Sequence, residues 1–323
     1  MMGGWDLSIS KELSLVEDLI QESIDSQEPL LTEIAGYVIG AGGKRVRPVV
    51  TILSYYIVGG RDVDRAVRIA AALELIHNAT LLHDDINDGG VVRRGQPAAF
   101  KKYGLQNALV TGDFLFTKAF AIGAKFDPDI VDITAEACVR LAEGEIKQQA
   151  NAHRLEIDEE EYLAIIRRKT AGFFAAGAQV GAILGGGTPE QVAALSAYGS
   201  HLGAAFQIVD DLLDVIGDEA TLGKPIGSDV REGNMTLLLQ HALNNGNATA
   251  QAELARIVER GPQSEEEVQR ALEIIASSGA VEEARARAGE YGVRAKESIG
   301  LLEPGPLKFE LLRIVDLVLH RDM

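Results

Sequence analysis

The sequence predicts an all-α fold, one large helical bundle formed by a single domain over residues 1–323. Three observations predict it. Apolar residues recur at three and four spacing through long segments, strand-like alternation with hairpin turns is nearly absent, and paired or tripled glycines end the apolar runs.

Each element follows from its own pattern. "ISKELSLVEDLIQESI" (9–24) is an amphipathic helix, and "AVRIAAALELIHNATLLHDDI" (66–86) and "DIVDITAEACVRLAEGEIKQQANA" (129–152) are longer ones. Asp158 before three glutamates starts a helix over 158–184, and Thr188-Pro189-Glu190 starts another over 189–216. Residues 264–292 read as a further helical run. Gly59-Gly60, Gly89-Gly90, Gly185-Gly186-Gly187 and Gly217 mark helix ends. Residues 171–184 are rich in glycine and alanine and nearly free of charge, the pattern of a helix buried all round. Residues 244–270 are the most polar stretch and read as surface helices and turns. No low-complexity linker or internal repeat divides the chain.

Composition excludes some functions. The chain of 323 residues is 46% hydrophobic and carries a net charge of −17 from 31 basic and 48 acidic residues. That charge argues against nucleic acid as a partner and against docking on an anionic membrane. The single cysteine, Cys138, makes neither an internal disulfide nor a thiolate metal cluster, and is expected to be a core thiol. The N-terminus lacks a basic segment followed by an apolar run, and no stretch of 18 apolar residues occurs. A cytoplasmic protein without membrane insertion is expected, and the Asn-Ala-Thr sequons at Asn78 and Asn247 are read as chance matches.

The informative stretch is "LLHDDINDGGVVRRG". Asp84, Asp85 and Asp88 fall on about one helical turn, where like charges repel. "FQIVDDLLDVIGD" repeats the spacing with Asp210, Asp211 and Asp214. Positions i and i+4 stack on one side of a helix. Both triplets sit on otherwise apolar helices and are expected to face inward, with no local basic compensation. Buried charge must be paired or metal-bound. Oxygen ligands without nearby histidine or cysteine favour Mg²⁺, whose shell phosphate oxygens usually complete. The substrate read from this pattern is a diphosphate.

The cations agree. Lys44, Arg45 and Arg47 follow a Gly-Gly turn in "GGKRVRP", Arg93 and Arg94 follow the first triplet, Lys169 enters an apolar helix, and Lys224 lies just beyond the second triplet. Arginine forks suit phosphate geometry and lysine supplies point charge. Two groups of cations point to two diphosphate sites, one reached through metal and one held by lysine and arginine alone.

These residues resemble the trans-isoprenyl diphosphate synthases, or polyprenyl synthetases. "GGKRVRP", "ELIHNATLLHDDINDGGVVRRG", "KTAGFFAAGAQVGAILGG", "FQIVDDLLDVIGD" and "GKPIGSD" carry the resemblance in this order. It implies an all-α bundle around a deep apolar central pocket, a homodimer, and a prenyltransferase that joins isopentenyl diphosphate to an allylic diphosphate. By the same resemblance the six aspartates hold Mg²⁺, about three ions per site. Arg93, Lys169, Thr170, Gln207 and Lys224 serve the allylic diphosphate, and Lys44, Arg47, His77 and Arg94 bind isopentenyl diphosphate. Asn234 stands where the family commonly has lysine, so that contact is not carried over; Gln148 also matches a family position. A class I terpene cyclase would share the aspartates but would not need the metal-free site. A non-catalytic subunit of a heteromeric synthase would be expected to lose an aspartate cluster.

Product length is read along the helix before Asp84. Thr80 and Ala79 lie four and five residues earlier, about 7.5 Å of helix for five residues. Short-chain members tend to carry an aromatic floor there; here both side chains are small. The next floor is formed by Ile76, Leu73 and Ala72, faced by Phe114, Phe116 or Phe120. The expected product is C20 or longer, roughly C25 to C40, on this helix-depth argument.

Overall fold

The computed structural model describes residues 8–219, 223, 225–245 and 247–321. The chain divides into two compact units, one formed by Met1–Glu136, Ala176–Ser196 and Leu301–Leu311, the other by Ala137–Ala175, Ala197–Gly300 and Leu312–Met323. Helices dominate both, as the periodicity predicts.

In the first unit, α1 (Ser10–Ser23), α2 (Pro29–Gly40), α3 (Val46–Ile57), α5 (Ala99–Tyr103) and α6 (Leu105–Gly123) pack on α4 (Val63–Asn87). Asp62 caps α4 by accepting from the backbone N–H groups of Asp64 and Arg65 (3.1 and 3.4 Å). From Ala66 to Leu82 nearly every α4 side chain is buried, so the helix needs no polar face to be stable. Asn78 is fully buried, which removes its sequon from consideration.

Two-residue strands β1 (Val92–Arg93) and β2 (Gln96–Pro97) follow, a hairpin that the periodicity did not reveal. Arg94 and Gly95 close it at φ 52° and 74°, the two positive φ values of a mirror-image type I turn. Strands this short leave no alternating pattern to read.

The glycines of α9 (Gly172–Leu184) have a packing reason. Gly177, Gly181 and Gly185 lie one turn apart and face α3. A Cβ on Gly177 would stand 2.8 Å from Thr51 Oγ1, and Cβ atoms on Gly181 and Gly185 would overlap the Thr51 and Tyr55 carbonyls. The two backbones approach closely because these positions have no side chain.

The second unit receives the C-terminal part of α7 (Pro128–Asn151), all of α8 (Glu159–Ile166), and the part of α10 (Pro189–Ile216) from Ala197 onward. It continues with α11 (Ser228–Glu232), α12 (Leu237–Asn245), α13 (Ala248–Arg260), α14 (Glu265–Ser277) and α15 (Ala280–Ser298), and takes the end of α16 (Pro306–Leu319). Asp158 caps α8 and Asn247 caps α13, each through a side-chain oxygen on the backbone N–H three residues on (2.8 and 2.9 Å). The predicted run 264–292 is two helices, because Gly279 turns the chain at φ 86°. Between α8 and α9, Arg167–Ala171 forms a π-helical turn, where the sequence read as continuous α-helix.

One expectation changes. Cys138 is half-buried rather than a core residue, and burial pushes its thiol up to about 11. Helix α10 is long and apolar enough to cross a membrane by length and composition, although 56% of its most apolar stretch is buried within the protein.

The glycine packing makes a paired prediction. Gly181→Ala should lower stability by about 1–3 kcal/mol, because overlap with the α3 backbone outweighs the helix-propensity gain. Gly289→Ala, on α15 where a Cβ would meet nothing within 4 Å, should raise stability by roughly 0.5–1 kcal/mol. Urea unfolding of both variants checks this; changes of the same sign would contradict the close α3–α9 approach.

Candidate active site

The first acidic group closes α4. Asp85 is buried, Asp84 is half-buried, and Asp88, the residue just beyond the helix, is exposed. The spacing alone placed all three inward; Asp88 departs because the helix ends there and Gly89 turns the chain at φ 66°. Burial raises the Asp85 carboxyl, and the Arg93 guanidinium, which donates to its Oδ1, opposes that rise. The acidic group therefore has the local basic partner that the sequence appeared to lack. His83 fastens this end of α4 to α6: its Nε2 lies 3.2 Å from the Leu109 carbonyl oxygen, and its ring covers Gly112.

The loop before α3 and the first turn of that helix bring several cations of the first unit together. Arg47 Nη1 lies 3.1 Å from His77 Nε2 on α4. Arginine only donates, so Nε2 accepts and the imidazole is the neutral Nδ1–H tautomer. Burial, then Arg47 and Arg94, hold the His77 pKa well below the usual histidine range. Arg94 donates to the Gly42 carbonyl, and its guanidinium lies against Gly43, where a Cβ would come within 3.0 Å. Lys44 sits half-buried between Gly43 and α3. Arg45 is turned away from this group: it donates to Glu17, and through Nη1 to Glu74 Oε1 at 2.9 Å.

Deeper along α4, Ala79 is fully buried and the Thr80 hydroxyl donates to the His77 carbonyl (2.9 Å). Ile76, Leu73 and Ala72 are buried beneath them. On α6, Phe114 and Phe116 are half-buried, while Phe120 is 53% exposed with its ring 6.1 Å from that of Phe116. Phe120 is thus a surface residue one turn beyond Phe116 on the same side of α6, which weakens its part as a pocket floor.

The second acidic group lies near the end of α10. Asp211 and Asp214 are 6% and 3% exposed, and Asp210 is half-buried with Arg321 Nη1 3.6 Å from its Oδ1. Asp211 accepts from the Tyr162 hydroxyl at 2.5 Å and from Gln207 Nε2 at 2.8 Å. Burial pushes its carboxyl up to about 7 despite those two donors. The Thr170 hydroxyl donates to Gln207 Oε1 at 2.7 Å, which extends the chain to the π turn. Asp214 Oδ2 accepts from the Asp229 backbone N–H at 2.9 Å. Asn234 Nδ2 donates to Asp229 Oδ1 at 3.2 Å, so this residue supports the acidic group rather than supplying a cation.

Lys169, also in the π turn, bonds Glu145 Oε2 at 2.6 Å and Gln148 Oε1 at 3.3 Å on α7. Gly144 permits this: a Cβ there would be 2.9 Å from the Lys169 backbone nitrogen. Lys224 lies outside the described residues. Among the described residues, no three acidic, histidine or cysteine side chains already converge as a complete metal shell. Sequence reasoning missed Tyr162, Glu145 and Asp229, whose signals are faint: single residues on other elements, brought in only by packing.

Comparison with known proteins closes the question of kinship. Residues 28–275 match the polyprenyl synthetase family. The short chain isoprenyl diphosphate synthase of Methanothermobacter thermautotrophicus is 41% identical over 320 residues, covering 97% of this chain and 98% of that protein. The octaprenyl diphosphate synthase of Escherichia coli is 35% identical over 314 residues, 97% of each chain. The crystal structure of a polyprenyl synthase from Caulobacter crescentus, complexed with calcium and isoprenyl diphosphate, matches with a TM-score of 0.95 at 36% identity, covering 98% of this chain and 96% of that one. With full-length relatives of known activity and the acidic and basic groups standing on the helices described, this chain belongs to the polyprenyl synthetase family and is a prenyltransferase, an isoprenyl diphosphate synthase.

Proposed function

We propose that the chain joins isopentenyl diphosphate head to tail to an allylic diphosphate and makes an all-trans product of C20 or longer. The observation that carries this is the pairing of two aspartate triplets of the same spacing with a separate group of cations around residues 42–47. Asp84, Asp85, Asp88, Asp210, Asp211 and Asp214 are the ligands for divalent cations, Mg²⁺ by the hardness of their oxygens. The buried carboxyl of Asp211 fits that role, because burial penalises its anion and a cation relieves the penalty. The bound cations would neutralise the allylic diphosphate as it departs.

The chain's own groups supply the rest. Arg93 and Lys169, held by Asp85 and Glu145, exchange part of that pairing for diphosphate oxygens. Lys224 joins them. Thr170 and Gln207, hydrogen-bonded to each other, present oxygen dipoles beside the allylic cation. Lys44, Arg47 and Arg94 hold isopentenyl diphosphate, with His77 orienting Arg47. Apolar neighbours exclude water from the cation, and the departing diphosphate takes the proton released when the new C–C bond forms.

The small side chains at Ala79 and Thr80 support a product longer than C15, in the range of about C25 to C40 by helix depth. Relatives of similar likeness are named for short chains and for octaprenyl chains, so the reading of length rests on the small side chains of this helix. A homodimer is part of the same reading: Leu105, Leu109, Val110 and Phe120 leave an exposed apolar row on α6.

Four outcomes check these assignments. Purified protein given isopentenyl diphosphate, an allylic diphosphate and Mg²⁺ should form linear prenyl diphosphates, and chelation should stop it reversibly. Asp84→Ala or Asp210→Ala should each cut turnover by about 100-fold or more with little change in melting temperature; retention of over a tenth of the activity would contradict the metal role. Ala79→Phe should shift the main product, read by mass spectrometry, to about C15 or C20, with Thr80→Phe as the second variant; an unchanged distribution from both would place the floor elsewhere. Val110→Glu should convert a dimer to a monomer by light scattering, and a wild-type monomer would overturn the dimer.

A further inference from the structure

Arg45 occupies a conformation that side chains rarely adopt. Its backbone lies at φ 49°, ψ 35°, immediately before α3, and such a residue persists only where its surroundings hold it. Here the guanidinium holds it. Arg45 is 11% exposed and meets both carboxylate oxygens of Glu17 on α1, Glu74 Oε1 on α4 at 2.9 Å, and the Ile39 carbonyl on α2 at 3.1 Å. Four of its five N–H donors are taken by partners on three helices, so Arg45 has no paired fork left to offer a diphosphate.

Glu74 is the inner end of this clamp. Its side chain is 3% exposed, and it stands three residues before His77 on the same face of α4. The start of α3 and helix α4 are therefore joined twice in register, Arg45 at the N-cap to Glu74 and Arg47 in the first turn to His77. From this double join we infer that Glu74 and Arg45 are positioning residues for the isopentenyl diphosphate subsite, setting where Lys44 and Arg47 present their charge without touching the substrate. The inference rests on the proposed role of Lys44, Arg47, His77 and Arg94.

The electrostatics agree with the geometry. Burial raises the Glu74 carboxyl, and Arg45, Arg47 and then Arg94 pull it back, so all three guanidiniums lie within its field. A buried ion pair contributes little net stability against its desolvation cost. Loss of one partner leaves the other charge uncompensated, and the loop that depends on it then relaxes.

The test is a comparison of Michaelis constants for the two substrates, with melting temperature measured beside them. Glu74→Ala should raise the isopentenyl diphosphate KM about tenfold or more while the allylic KM stays within about twofold. Glu74→Gln keeps an oxygen for Arg45 Nη1 and should recover most of that loss. Arg45→Lys should not recover, because a point ammonium cannot reach Glu17, Glu74 and the Ile39 carbonyl together. Equal changes in both Michaelis constants, or a lower melting temperature with both unchanged, would overturn the positioning role. If Glu74→Ala fails to fold, Glu74→Gln and Arg45→Lys decide by the same split. Arg47→Ala separates the two readings: if it leaves the isopentenyl diphosphate KM unchanged, the subsite itself is wrong; if it raises that KM and the Glu74 and Arg45 variants do not, only the positioning inference falls.

Discussion

Everything that distinguishes this protein from an ordinary helical bundle follows from charge held inside apolar helices. Each unit carries carboxylates at depths where an unpaired anion costs several kcal/mol. Each answers with at least one donor aimed from a different element. Asp85 meets Arg93 of the hairpin; Asp211 meets Tyr162 of α8 and Gln207 of its own helix; Asp214 meets the backbone of α11. These partners hold the carboxylates in place without neutralising all of them. The Asp211 carboxyl remains raised to about 7 by burial, so it gains from any cation that arrives.

The same constraint explains the irregular backbone. The π turn over Arg167–Ala171 puts Lys169 beside α7 and Thr170 beside Gln207. An extra residue in a turn redirects the side chains around it, which is why such turns recur at functional sites. Arg94 and Arg45, both at positive φ, mark the two other places where backbone geometry yields to the placement of a guanidinium. Glycines do complementary work. Gly177, Gly181 and Gly185 let α9 lie on α3, and Gly144 lets α7 reach the π turn. The charged groups are carried on closely packed helices, which fixes where they stand.

Much of this was legible in the chain. The acidic triplets, the basic loop and the helix ends at paired glycines are local patterns, and each has a local cause: helical periodicity, side-chain stacking at i and i+4, or the conformational freedom of glycine. Asp158 was readable as a cap because a cap is a short-range event. Other features were not readable. Tyr162 lies 49 residues from Asp211 along the chain, and nothing near it in sequence marks it as a partner. Asp88 shared the triplet spacing and yet stands exposed, because the helix ends beneath it. Phe120 looked like its neighbours Phe114 and Phe116 until packing left it the exposed one of the three.

By itself, then, the sequence determined which residue types are present, on which helices, and therefore the chemistry they can offer: carboxylate oxygens that suit hard cations, and guanidinium and ammonium groups that suit diphosphates. Those properties depend on composition and spacing over a few residues. Only the tertiary structure decided which charges are buried, which partner each cation meets, and which distant donor serves which carboxylate. Arg45 and Arg47 are two residues apart in one motif, yet the first is consumed by Glu17 and Glu74 while the second meets His77. Burial and pairing arise when separate helices close on one another, and desolvation, the largest cause of the shifts at Glu74, His77, Asp85 and Asp211, exists only once they have.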